Sequence, residues 1–224
     1  VLFIAALLWL SPSSVYAEDY SGAQQTELNE GELAQLLAPI ALYPDSLLTH
    51  ILIAATYPLE VVEAQRWQIN NRQLSTSKQV SAAEDMQWDP SVTALIAFPT
   101  VLQKMSDELQ WTRSLGDAFL QNEAQVLASI QALRQQADNA NSLNDMDNMQ
   151  VTHLNNQIVI EPIKKEVVYV PYYDPRVVYG HWYWYNYPPV YWTIYPGYVR
   201  PRYGHFYWNV GVHISFNYYF SAFH

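Results

Sequence analysis

The chain of 224 residues contains no cysteine. That excludes disulfides, thiolate zinc sites, iron–sulfur clusters, cysteine nucleophiles and lipid attachment through cysteine. Basic residues are scarce, with 11 Lys and Arg against 21 Asp and Glu for a net charge of −10. A protein without a basic face cannot neutralise phosphates, so nucleic acid is not an expected partner. The 7 glycines are spread singly, and phosphate-cradling loops, dinucleotide fingerprints and serine-nucleophile motifs are all missing. No run reaches the roughly eighteen apolar residues of a membrane span. Aromatic residues are the abundant class: 18 Tyr, 8 Trp and 7 Phe, or 15% of the chain.

Segments differ sharply. Val1 to Leu10 (VLFIAALLWL) is uncharged and apolar, Ser11-Pro12-Ser13-Ser14 follows, and Val15-Tyr16-Ala17 precedes acidic Glu18-Asp19. Ten such residues rise only about 15 Å as a helix, roughly half the hydrocarbon thickness of a bilayer. The pattern reads as a secretory signal peptide over residues 1–17, cleaved after Ala17, although the first cation is Arg66. Export to the periplasm or cell envelope is the expected address.

The expected fold class is α+β. Residues 18–28 form a polar leader, and a mainly helical domain spans 29–137. Proline punctuates it: Pro39 ends a first helix, while Pro44-Asp45, Pro58, Asp89-Pro90 and Pro99 each open another. Weak helix potential is confined to Ser81 to Asp85, and Leu115 to Ala137 reads as one amphipathic helix. Residues 138–150 (DNANSLNDMDNMQ) read as a linker, and charge changes there: residues 18–150 hold 18 acidic and 6 basic side chains, whereas 151–224 hold 3 and 5.

Residues 151–180 read as a small antiparallel β meander, with strands at Gln157–Ile160, Glu166–Val170 and Arg176–Tyr179 and a turn at Asp174-Pro175. Residues 181–224 are a Tyr/Trp-rich tail holding 18 aromatics in 44 residues. Its prolines make the first half irregular. From Tyr207 onward, Val210, Val212, Ile214, Phe216, Tyr218 and Phe220 alternate as on one long two-faced strand or a hairpin.

Four blocks carry a resemblance: LAPIALYPDSLLTHILIAATYPLEVVEAQRW (37–67), WDPSVTALIAFPTVLQKM (88–105), LGDAFLQNEAQVLASIQALR (115–134) and VVYVPYYDPRVVYG (167–180). Together and in this order they are similar to the bacterial exported family called domain of unknown function 3300. The resemblance implies a Gram-negative envelope protein with a helical N-terminal region, a YVPxYDP segment and an aromatic tail. It implies no activity, ligand or catalytic residue. Family chains generally run on past the last aromatic strand, often into a His- or Arg-rich tail, where this sequence stops at His224.

No catalytic constellation is apparent, so the chain is read as a non-enzyme that needs no cofactor. Glu60 and Glu63 lie one helical turn apart, as a glycosidase pair could, but acidic residues also suit a first turn. Asp45 reads as a cap and His50 as a partly buried structural histidine. His205, His213 and His224 lack the carboxylates that would make a specific metal site. The candidate binding residues are aromatic: Tyr169, Tyr172, Tyr173, Tyr179, Trp182, Trp184, Trp192 and Trp208. They could pack against the helical domain or a second copy, stack on polysaccharide or peptidoglycan, or sit at the outer-membrane surface. The expected role is an exported envelope protein acting through protein or surface contacts, self-association included. A glycan- or peptidoglycan-binding module is the alternative, and an Asp/Glu hydrolase is a distant third.

Overall fold

A computed structural model describes residues 27–194, 196–199 and 204–214. The signal-peptide reading, most of the leader, His224 and the end of the alternating tail strand lie outside them.

The helical part follows its punctuation. The Asn29 side chain accepts a hydrogen bond from the Glu32 N–H while the Glu32 carboxylate accepts one from the Asn29 N–H, so a capping box opens α1 (Glu30–Leu37). Proline at or beside the first helical position begins α2 (Asp45–Ala54), α3 (Pro58–Asn70), α5 (Pro90–Leu95) and α6 (Pro99–Asp107). Between them, α4 (Thr76–Ala83) starts earlier than the weak segment expected at Ser81.

The single helix expected over Leu115 to Ala137 is two: α7 (Leu109–Gln121) and α8 (Glu123–Asn139). Asn122 separates them in an extended conformation, its side chain accepting from the Gln125 N–H. Phe119 and Val126 are seven residues apart, two helical turns, so the break leaves the apolar periodicity undisturbed.

The core is centred on α2, where Leu47, Ile51 and Ala54 are fully buried. Helices α5 and α7 flank it, and α1 lies against α7 and α8. No single described helix is long and apolar enough to cross a membrane; α2 and α3 pass by length and composition only as a pair bent by 110°. Residues 138–150, expected to be a linker, carry Leu143, Met146 and Met149 into the same core. Their three-residue spacing is hidden by the polar side chains between them.

The strands pair antiparallel, but as pairs rather than as a meander. Strand β1 (Met149–Leu154) and β2 (Gln157–Pro162) form a hairpin closed by Asn155 and Asn156, both with positive φ, as a two-residue turn of this hand requires. Strands β3 (Val167–Val168) and β4 (Pro171–Tyr173) instead pair with the tail, β3 with β6 (Val212–His213) and β4 with β5 (Phe206–Trp208). The strand expected at Arg176–Tyr179 is one helical turn, α9 (Pro175–Val178). Asp174 caps it by accepting from the Arg176 N–H, and Pro175 occupies the first position. Cap chemistry here overrides the β preference of Val177 and Val178.

Candidate functional site

The aromatic segment divides into rings that hold the fold and rings that face water. The alternation of β4 sends Tyr173 inward and Tyr172 outward. The Tyr173 hydroxyl donates to the Ala38 carbonyl at 3.0 Å and accepts from the Leu42 N–H at 3.2 Å. The Tyr179 hydroxyl donates to the same Ala38 carbonyl at 2.7 Å. Tyr173 of the YVPxYDP motif and Tyr179 just after it therefore tie down the α1–α2 turn, satisfying backbone groups that the Pro39-interrupted helix leaves open. Burial raises both phenols well above their ordinary pKa, so they act as neutral hydrogen-bonding groups.

Residues 181–192 form a strap across α1 and α8. The Gln136 side chain donates to the His181 carbonyl, and Gln35 donates to the Pro188 carbonyl at 2.6 Å. The Val190 N–H donates to Gln35 O at 3.2 Å, and Asn29 Nδ2 donates to the Tyr187 hydroxyl at 2.9 Å. Gly31 makes room for the strap: a Cβ there would lie 2.3 Å from the Tyr187 ring. The Trp182 indole donates to the carbonyls of Trp184 and Tyr187, closing the strap on itself. At its far end, Trp192 packs edge-on to Trp111 with ring centres 4.7 Å apart, and the Lys104 ammonium sits 5.6 Å from the Trp192 ring.

The eight candidate binding residues thus separate. Tyr173, Tyr179, Trp192 and Trp208 are buried. Tyr169 lies against Trp208, with centres 6.4 Å apart. Tyr172, Trp182 and Trp184 are half-buried, so one side of each remains accessible. Around Tyr172 gather three tyrosines absent from that candidate set. Its hydroxyl lies 3.1 Å from that of Tyr191, and its ring packs edge-on to Tyr198 and Tyr207 at 6.0 and 5.5 Å. The Arg176 guanidinium lies 4.0 Å from the centre of the Tyr191 ring and also pairs with both Asp174 oxygens. That hydrogen bonding holds the Asp174 carboxyl below its usual range. Among the described residues of the aromatic segment, the exposed rings are Tyr183, Tyr185 and Tyr191, at 64%, 75% and 41%. Over residues 181–185 exposure alternates with period two, Tyr183 and Tyr185 open beside half-buried Trp182 and Trp184, but Pro188 and Pro189 break that period before Tyr191.

Of the remaining titratable candidates, Glu60 and Asp45 make structural contacts. Glu60 accepts from the Asp89 N–H at 2.7 Å, joining α3 to the start of α5, while Glu63 is exposed. Asp45 makes no side-chain cap bond; its carboxylate pairs with Arg134 at 2.5 Å. His50 is fully rather than partly buried, and His205 and His213 are exposed.

The family described as "Protein of unknown function (DUF3300)" matches residues 29–224. The chain is also 34% identical over 213 residues to the uncharacterized protein YacH of Escherichia coli (strain K12), covering 80% of this chain. It spans about a third of the length of that curated relative, 34%. No solved structure matches the chain. With nearly all of the helical region, the YVPxYDP segment and the aromatic tail inside the match, the chain belongs to the DUF3300 family of proteins of unknown function.

Proposed function

We propose that the protein is an exported, non-enzymatic component of the cell envelope that works through protein or surface contacts of its aromatic C-terminal region. Support for export comes from the apolar run Val1 to Leu10 and the small–x–small sequence before Glu18. The contact role rests on one observation: Tyr183, Tyr185 and Tyr191 stay exposed on a strap that His181, Pro188 and Val190 fasten to α1 and α8. Rings held in water on an ordered frame offer large amphipathic contact area at little further entropic cost.

The test is cosedimentation of the mature chain with isolated Gram-negative envelopes, beside a Tyr183→Ser/Tyr185→Ser/Tyr191→Ser variant. The wild-type chain sediments and the triple variant, with an unchanged Tm, stays in solution. Equal sedimentation of both overturns the contact role. The hydroxyl-paired tyrosines around Tyr172 favour a second reading, glycan or peptidoglycan binding, which requires the same pattern with purified peptidoglycan sacculi.

A further inference from the structure

A cleft of about 340 Å³ opens between α1, α8 and the strap, at the small end of the roughly 300–1,000 Å³ typical of small-molecule sites. Its composition differs from that of the other clefts. Trp184 forms one wall. Helical spacing places Gln125, Ser129 and Ala132 along one face of α8, and Glu30 and Ala34 one turn apart on α1. The alanines keep the floor low and flat. A carboxylate, an amide and a hydroxyl are thereby set around an indole, with no cation among the lining residues. The Gln125 amide makes only a long bond of 3.4 Å to the Leu28 carbonyl.

Those groups match one ligand chemistry. A pyranose ring has an apolar C–H face that packs on an aromatic surface and a rim of hydroxyls that both donate and accept. A carboxylate and an amide receive and return such hydrogen bonds. The Glu30 charge and the net charge of −10 disfavour anionic sugars. We propose that this cleft binds one neutral hexopyranose unit of a glycan chain, packed on Trp184 and hydrogen-bonded by Glu30, Gln125 and Ser129. The inference rests on the reading that the aromatic region makes the protein's contacts, and it names a site and a ligand class for them.

The test is calorimetric titration of the full chain with cellohexaose, chitohexaose and polygalacturonate. At least one neutral oligosaccharide binds saturably, and polygalacturonate does not. Trp184→Ala weakens that binding about tenfold and Trp184→Phe much less, since the second keeps an aromatic face. Ala132 is exposed on a helix, so Ala132→Leu fills the cleft without disturbing the core; it also weakens binding about tenfold at unchanged Tm. Absence of saturable binding to both neutral oligosaccharides, equal binding of polygalacturonate, or undiminished binding by Ala132→Leu overturns the proposal. Because soluble sugars are the probe, this site can fail while the envelope contacts of Tyr183, Tyr185 and Tyr191 stand.

Discussion

The guanidinium of Arg134 lies 2.5 Å from the carboxylate of Asp45, joining the middle of α8 to the first residue of α2. Arg134 is almost wholly buried, at 1% exposure. Its remaining donors reach the carbonyls of Ala41 and Ile158 at 2.8 Å and Tyr43 at 3.0 Å. One side chain thus fastens α8, the α1–α2 turn and β2 together. A buried cation is tolerable here because every face of its fork meets an acceptor.

Replacing Arg134 by Met keeps much of the volume but removes the donor from the buried carbonyls of Ala41 and Tyr43 and the partner of one carboxylate, while the Ile158 carbonyl keeps the Gln131 amide. The expected loss is about 3–5 kcal/mol, read from the urea midpoint. Asp45→Asn costs less, about 1–2 kcal/mol, because Asp45 is partly solvated and the backbone acceptors remain.

Tyr173 and Tyr179 share the Ala38 carbonyl, so their losses are coupled. Tyr179→Phe is expected to cost about 1 kcal/mol, since Tyr173 still serves that acceptor. Tyr173→Phe costs about 1–3 kcal/mol, because the Leu42 N–H loses its buried partner. The double variant loses more than the sum, and a double-mutant cycle measures the excess.

Gly116 marks where α7 crosses the end of α2: a Cβ there would lie 2.1 Å from the Ala55 carbonyl oxygen. Both groups are held by backbone, so Gly116→Ala forces the helices apart at a cost of about 1–3 kcal/mol or more. Gly31→Ala meets only the Tyr187 ring. It should instead loosen the strap, seen as faster proteolysis within residues 181–192 with little change in global stability.

Burial holds the phenols of Tyr43, Tyr173 and Tyr179 protonated well above the ordinary tyrosine value of 10.0. In the unfolded chain they ionise near that value. Above it the unfolded state binds fewer protons than the folded one, so stability falls as pH rises. Below it their contribution is fully present. The urea midpoint should therefore hold from neutral pH to pH 9 and decline beyond pH 10, less steeply in Tyr179→Phe. Asp174 acts in the opposite direction. Its lowered carboxyl contributes stability above its unfolded value of 3.8 and loses it as pH falls through the lower folded value.

Much of the helical part was legible because its signals are local. Pro44-Asp45, Pro58, Asp89-Pro90 and Pro99 are start signals that act within one turn. Asn122 followed by Glu123 is also a helix start, but the unbroken phase from Phe119 to Val126 concealed it. Asp174-Pro175 is another, outweighed in the reading by the valines after it. The pairing of β3 with β6 spans more than 40 residues, and no local pattern encodes a partner that distant. The same holds at the candidate site. Aromatic composition marked a region but not the role of each ring in it: Tyr172 and Tyr173 are neighbours in sequence with opposite fates, decided by the Ala38 carbonyl and the Tyr191 hydroxyl. Which rings remain open depends on what the strap lies against, through Gly31, Gln35 and Gln136.

The division between inward and outward rings is tested most directly by hydroxyl-radical footprinting of the mature chain, free and bound to isolated envelopes. Tyr183, Tyr185 and Tyr191 should be oxidised in the free protein and protected in the bound one, with Tyr173 and Tyr179 unreactive in both. Unchanged oxidation of Tyr183, Tyr185 and Tyr191 on binding would contradict the account.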